Sequence, residues 1–250
     1  MRLLTAVLAL SLPAFAVPSA KDMAMLSCRA YANGCARFMG HPAGWTVVST
    51  SPRSSGLEAL AARNENGELA VVYAGTDAKD PLDIAADKAL VKIATLPGRS
   101  GVYRKAEAEA RGGGWKANPK STHYTYQVLA VKLWKAEQFL GEARKAAGSP
   151  KVVMLGGHSL GGLIAKVTAA RQRLPAHVFN PAPAGRWLAK NPKATVVVHR
   201  RASDAVSTLA THFGQICQYP DKSADPKQIH GILAFAKDLL GGLKPDRCKD

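Results

Sequence analysis

Apolar and polar residues follow two different periods along this chain, and the switches between them outline its elements. Val152 to Leu155 is an unbroken apolar run, which predicts a buried strand. It stops at Gly156-Gly157, and from Gly161 to Ala170 the pattern turns helical. Upstream, Tyr126, Leu129, Leu133, Ala136, Leu140 and Ala143 form a helical stripe. They predict one long amphipathic helix over 122–147, ended by Gly148-Ser149-Pro150. Gly44–Val48 reads as a strand, and Asn66-Gly67 between two further apolar runs signals a hairpin. A first helix is expected over 22–33, ended by Asn33-Gly34, and Asp80–Asp87 looks like a helix start with Pro81 in its first turn. Residues 176–180 and 194–199 read as strands, and 229–243 as a closing helix. Residues 97–122, rich in Gly, Lys and Arg, are expected to form a loop or mobile cover. A second long loop, carrying Cys217, is expected to lead to His230. An antiparallel start followed by alternating strands and helices predicts an α/β class. It implies a mostly parallel sheet with helices on both faces.

The first 20 residues change that picture. Arg2 is a short positive segment, Leu3 to Leu12 is apolar, and Ala14-Phe15-Ala16 is an A-x-A cleavage pattern with Ala20 as a second option. The apolar run is too short to span a bilayer. A signal peptide over 1–20 and one domain over 21–250 are therefore expected, with export to the periplasm or medium. Two hundred and fifty residues are enough for one α/β domain with a sizeable core.

Export permits disulfides. Cys28, Cys35, Cys217 and Cys248 allow three pairings, of which Cys28–Cys35 with Cys217–Cys248 is favoured. An unbroken helix from Cys28 to Cys35 would hold its ends about 10 Å apart, too far to bridge. Asn33-Gly34 offers the break that closes the gap.

The chain has 34 Lys and Arg against 18 Asp and Glu, a formal net charge of +16. Outside the cytoplasm that charge has anionic lipid headgroups within reach. The lysines are spread rather than clustered with aromatics, and no nucleic-acid motif is present, so no nucleic-acid partner is expected. A solvated basic surface is the plainer alternative.

Between the strand at 152–155 and the helix at 161–170 lies Gly157-His158-Ser159-Leu160-Gly161. This is the nucleophile-elbow pattern, in which a sharp turn holds a serine above the sheet. Such a turn strains its serine, so the flanking residues must lack bulk. The helix that follows aims free N–H groups at the place where an oxyanion forms, and the N–H of Leu160 is one donor. A second donor has to come from an upstream strand end, where Ala74-Gly75-Thr76-Asp77 stands.

A serine needs a base, and the base needs an acid to fix its tautomer. The chain order of this arrangement is Ser, acid, His. Asp204 is the only carboxylate between Ser159 and Asp221, and it follows a strand. Pairing with Arg200 or Arg201 is its plainer role, and Asp221 and Asp225 are fallbacks. His212 lies eight residues past Asp204, with little chain to return to the site. His230 lies 26 residues past it, at the opening of a helix, and is favoured as the base. His158 adjoins the serine and should point the other way. His41, His123, His177 and His199 are expected to be structural or exposed. Asp83 and Asp87 share a helix face, read as solvated or ion-paired rather than as a metal site.

These segments resemble, in order, the class 3 lipase family of α/β-hydrolases. Gly67-Glu68 through Ala74-Gly75-Thr76 is similar to the strand that leads into its "RGT" oxyanion loop, and Asp83-x-x-x-Asp87 to its "DWxxD" segment. Gly157 to Gly162 matches its elbow, 178–185 its "FGxPxxG" segment, and Ser203-Asp204-Ala205-Val206 its acid loop. Ala74 stands where that family has arginine, and Ile84 where it has tryptophan. The resemblance implies an α/β-hydrolase fold, a Ser159, Asp204 and His230 triad, and Thr76 and Leu160 as oxyanion donors. With the leader, it points to an exported hydrolase of carboxylic esters, with lipids or small esters as substrates; no HExxH or CxxC pair is present, and no metal or cofactor is expected. A phospholipase A1 acting on anionic membranes is a second reading. A basic binding protein on an inactive hydrolase fold is a third.

Overall fold

The computed structural model describes residues 18–31, 35–52, 56–77, 79–95, 100–112, 121, 123–184, 188 and 194–249. Residues 1–17 of the leader expected over 1–20 and the Asn33-Gly34 break lie outside them. So does most of the Gly112-Gly113-Gly114 run.

Eight strands form one sheet in the order of the sequence. They are β1 (Trp45–Ser51), β2 (Ala59–Asn64), β3 (Glu68–Tyr73), β4 (Val152–His158), β5 (Ala176–Phe179), β6 (Val196–Arg201), β7 (Gln215–Tyr219) and β8 (Arg247–Lys249). β1, β2 and β3 are antiparallel, with the expected hairpin at Asn66-Gly67. β3 through β7 are parallel, and β8 returns antiparallel along β7. The helices are α1 (Ala20–Arg29), α2 (Cys35–Phe38), α3 (Pro81–Thr95), α4 (Ser100–Arg111), α5 (Tyr124–Ala147), α6 (Leu160–Gln172), α7 (Pro226–His230) and α8 (Ile232–Leu240). The mostly parallel sheet with an antiparallel start and helices on both faces is borne out.

A sheet whose parallel strands run in sequence order has a consequence for its two faces. Crossovers of one hand, all advancing in one direction, place every connecting helix on the same face. α3 to α6 do lie together, packed on Leu69, Val71, Tyr73, Leu155 and Val178. The alternate residues Ala70, Val72, Met154 and Phe179 point to the opposite face. That face is covered by the chain's two ends. Met23, Ala24 and Leu26 of α1 pack there with Ile232, Phe235 and Leu239 of α8. The two terminal helices also touch each other.

Four expectations need correction. Residues 100–111, expected as loop, are helix α4, which buries Tyr103, Ala106 and Ala110 against α5. The long loop expected before His230 contains β7, which holds the sheet edge together with β8. The closing helix is two helices, α7 and α8, broken at Gly231 with φ −66° and ψ 129°. His230 therefore ends a helix instead of opening one. Finally, the first helix stops at Arg29, short of 33.

The disulfides pair Cys28 with Cys35 and Cys217 with Cys248. The first ties α2 to α1, and the second ties β8 to β7. Among the described residues no helix is long and apolar enough to cross a membrane.

Candidate active site

β4 runs straight into Ser159, whose backbone stands at φ 56° and ψ −125°. An L-residue other than Asn, Asp or Gly rarely takes a positive φ, and that strain recurs at functional sites. The glycines around it are required by contact. A Cβ on Gly161 would strike the carbonyl oxygens of Tyr73 and Ala74, and one on Gly157 would strike Gly161. Strand and helix can approach this closely only without side chains. The Ser159 carbonyl accepts N–H groups from Leu163 and Ala182, at 3.1 and 3.0 Å, which fixes the turn against β5's exit.

His230 meets this serine from α7. Its Nε2 lies 3.0 Å from Ser159 Oγ, and its Nδ1 lies 2.7 Å from Asp204 Oδ2. A carboxylate only accepts, so the His230 proton sits on Nδ1 and Nε2 is left as the acceptor facing the Ser159 hydroxyl. Asp204, in the turn after β6, is fully buried, and its other oxygen accepts the Ser207 N–H at 2.6 Å. Burial alone would raise the Asp204 carboxyl. The His230 bond and charge, with Ser207, outweigh it and hold the acid below its usual range. Arg201 does not take this acid; it pairs with Asp238 and stacks over Phe235.

Asp83 and Asp87 support the other wall. Asp87 accepts the Thr76 hydroxyl at 2.9 Å, and Asp83 accepts the Asp77 N–H at 2.8 Å. Asp83 is paired with buried Lys132 at 2.6 Å. Burial raises the Asp87 carboxyl despite the Thr76 hydrogen bond. Thr76 is thus held beside Ser159 by α3. Leu160 is buried and is the first residue of α6, so its N–H has no acceptor within the helix. A cavity of about 590 Å³ opens over Ser159 and His230, lined by Tyr31, Phe38, Thr76, Asp87, Val206 and Leu233 among others. Among the described residues no group of three His, Cys, Asp or Glu is placed to hold a metal.

The other candidate base sits elsewhere. His212 Nδ1 faces buried Lys166 Nζ at 2.9 Å, and its Nε2 donates to the Ser207 carbonyl at 2.6 Å. Burial and the Lys166 charge lower its pKa to about 3. It supports the turn carrying Asp204 and does not reach Ser159. The expected orientation of His158 also needs correction. Its ring lies on the α1–α8 side and touches His230 there, with ring centres 4.7 Å apart.

Three residues not singled out from the sequence shape the site. Asn180, at φ 38° just past β5, donates to the carbonyls of Ile229 and His230 and accepts the Arg201 N–H. Asn tolerates this left-handed backbone better than most residues, which is the one local signal it carries. Tyr31 and Ser207 give none, because their partners are far away in the chain or are backbone groups.

No protein-family model matches the sequence, and no curated protein matches it. Among solved structures, the crystal structure of a predicted CIB-like hydrolase from Thermoplasma acidophilum aligns with a TM-score of 0.38 and 15% identity. The alignment covers 80% of this chain and 98% of that one. That likeness is too slight to assign chemistry, which this chain's own geometry has to carry.

Proposed function

We propose that this protein is an exported serine hydrolase that cleaves carboxylic esters through an acyl-enzyme. The observation that carries the reading is the unbroken chain from Asp204 through His230 to the strained Ser159, beneath an open cavity. Ser159 Oγ attacks the ester carbonyl carbon while His230 Nε2 takes its proton. Asp204 stabilises the imidazolium. The N–H groups of Thr76 and Leu160 hold the oxyanion. His230 then returns the proton to the departing alkoxide, and water repeats the sequence to free the acid. Phe38, Ile232 and Leu233 give the cavity an apolar side that suits an acyl chain.

Two disulfides and the absence of a membrane-spanning helix among the described residues are compatible with export. Ser19 caps α1 by accepting the Asp22 N–H, so cleavage after Ala16 is the option that keeps the cap.

A phospholipase A1 acting on anionic membranes is the second reading. It is favoured by the net charge of +16 and by Phe38, 67% exposed at the cavity rim. The test is a panel of short-chain esters, triglycerides and anionic phospholipid vesicles, with fluorophosphonate labelling. A wild type that takes no label at Ser159 would sink the hydrolase reading and leave a basic binding protein, whereas label lost in Ser159→Ala supports it. Phospholipid turnover that falls with salt favours the second reading. Salt-indifferent activity on soluble esters excludes it.

A further inference from the structure

We infer that Tyr31 and His158 are positioning residues for the base, joining the Gly75-Thr76 loop to the His230 loop through one ordered hydrogen-bond chain. The inference rests on the serine hydrolase reading above.

The chain is traced from His230 backwards. The His230 carbonyl oxygen faces His158 Nε2 at 2.6 Å. A carbonyl can only accept, so His158 carries its proton on Nε2. Its Nδ1 must then be an acceptor, and the Tyr31 hydroxyl lies 2.6 Å from it. Tyr31 is therefore the donor, and its hydroxyl oxygen in turn backs onto the Gly75 amide. Gly75 has no room for a side chain, because a Cβ there would strike the Tyr31 hydroxyl, the His158 carbonyl and Ser159 Cβ. Each link has one direction only. If Tyr31 loses its proton donor, one of the two bonds that fix the His158 tautomer is gone, and the short bond to the His230 carbonyl is weakened.

His158 stays neutral at any working pH, because burial and then the His230 charge lower its pKa to about 3. It is thus a fixed strut and does not exchange protons with the base. The direction of pull matters as well. His158 grips the backbone of His230, while Asp204 grips Nδ1 of its ring. With the carbonyl held by His158 and Asn180 and the ring held by Asp204, both ends of one residue are fixed, which sets where Nε2 points. Misplacement of a reacting group by about 1 Å can cost about 100-fold in rate.

The fold explains why the strut comes from this part of the chain. Crossover helices leave one sheet face bare, and α1 is drawn onto it by Met23, Ala24 and Leu26. Tyr31 follows α1 by two residues, between the disulfide partners Cys28 and Cys35. The N-terminal segment thus does more than cover the sheet: it delivers a hydroxyl to the back of the base.

The test uses the full-length protein and the variants Tyr31→Phe, His158→Leu and His158→Gln. Fluorophosphonate labelling of the wild type at Ser159 comes first, and no labelling there sinks the hydrolase reading itself. Tyr31→Phe should lower kcat by about 10-fold with KM and Tm nearly unchanged, a loss typical of an outer partner of a working residue. His158→Leu should lose more, and His158→Gln, whose amide can reach the same carbonyl, should recover most of it. Nitrogen-15 NMR of the histidine rings should find the Nε2–H tautomer at His158 in the wild type, and a mixture in Tyr31→Phe. A wild-type kcat in Tyr31→Phe, or the Nδ1–H tautomer at His158, overturns the inference while leaving the hydrolase reading intact. So does a loss of kcat in His158→Leu that only follows Tm and is not restored by Gln.

Discussion

The side-chain amide of Asn180 donates 2.8 Å to the Ile229 carbonyl, although 49 residues separate them. The same nitrogen reaches the His230 carbonyl at 3.2 Å, and the Asn180 oxygen takes the Arg201 N–H at 2.8 Å. One side chain therefore ties the ends of β5 and β6 to the segment carrying His230.

Asn180→Asp keeps the acceptor for Arg201 and deletes the donor to the two carbonyls. Its stability should fall by about 1–3 kcal/mol, the cost of leaving buried partners unsatisfied. The kcat should fall further than that loss explains, because the His230 segment loses its ties to Asn180 and keeps only those to His158 and Asp204. Urea unfolding and steady-state kinetics on one preparation check this. A variant with normal kcat would show that the tie does not position the base.

Asp204→Asn should fold, since the Asn oxygen can still accept the Ser207 N–H. Its amide would favour the wrong His230 tautomer, and kcat should fall by about 10⁴-fold. Ester hydrolysis with a short acyl substrate measures it. A loss under tenfold would mean that Asp204 is not the acid partner.

Gly161→Ala forces a methyl group into the carbonyl oxygens of Tyr73 and Ala74, which are backbone and cannot swing away. The elbow must open, so activity should vanish even where folded protein is recovered. The stability loss should be at least about 1–3 kcal/mol, as for other overpacked sites. Circular dichroism melts and fluorophosphonate labelling provide the two readouts. Gly141→Ala on α5, where an added methyl group would meet open space, serves as the neutral control.

Stability should fall as pH drops below 6.5. Burial lowers the pKa of His158 to about 3, of His177 to about 4 and of His212 to about 3, from 6.5. The unfolded chain binds these protons first, so the stabilisation is full above pH 6.5. It is lost progressively between pH 6.5 and the folded values. Each histidine contributes a slope of up to about 1.4 kcal/mol per pH unit in that window. Denaturant titrations at pH 7, 6, 5 and 4 give the slope directly, and a flat profile from 6.5 to 4 would contradict the burial.

The Cys217–Cys248 bond closes a loop of sequence separation 31 that contains His230 and both closing helices. The chain-entropy account assigns such a loop roughly 4 kcal/mol of stabilisation at most. Replacing both cysteines with serine should lower the unfolding free energy by an amount of that order and loosen the base. Protection of the His230 segment in hydrogen exchange should fall before that of β3 and β4. Uniform loss across the sheet would argue against a local role.

Elements made by neighbours in the chain are legible in the sequence. The hairpin at Asn66-Gly67, the α5 stripe and the elbow all rest on contacts within a few residues. Helix α4 is hidden because its inward positions are Tyr103, Ala106 and Ala110, two of them alanines that add little hydropathy, set among lysines and glutamates. β7 is hidden because Gln215 to Tyr219 is short and its apolar run is broken by Gln218. The break at Gly231 leaves no clear mark, since glycine inside an apolar stripe is tolerated as often as it ends a helix.

By itself the amino-acid order determined where the serine turns, which strand precedes it and which acid and histidines follow. Glycine spacing and apolar period are local quantities, and they are written in consecutive residues. Tertiary structure alone decided which histidine reaches Ser159, what Asn180 holds and why Tyr31 arrives behind His230. Those outcomes depend on a bare sheet face that the two chain ends must cover. No short stretch of sequence contains that requirement, because it arises only when all the crossovers fall on the other side.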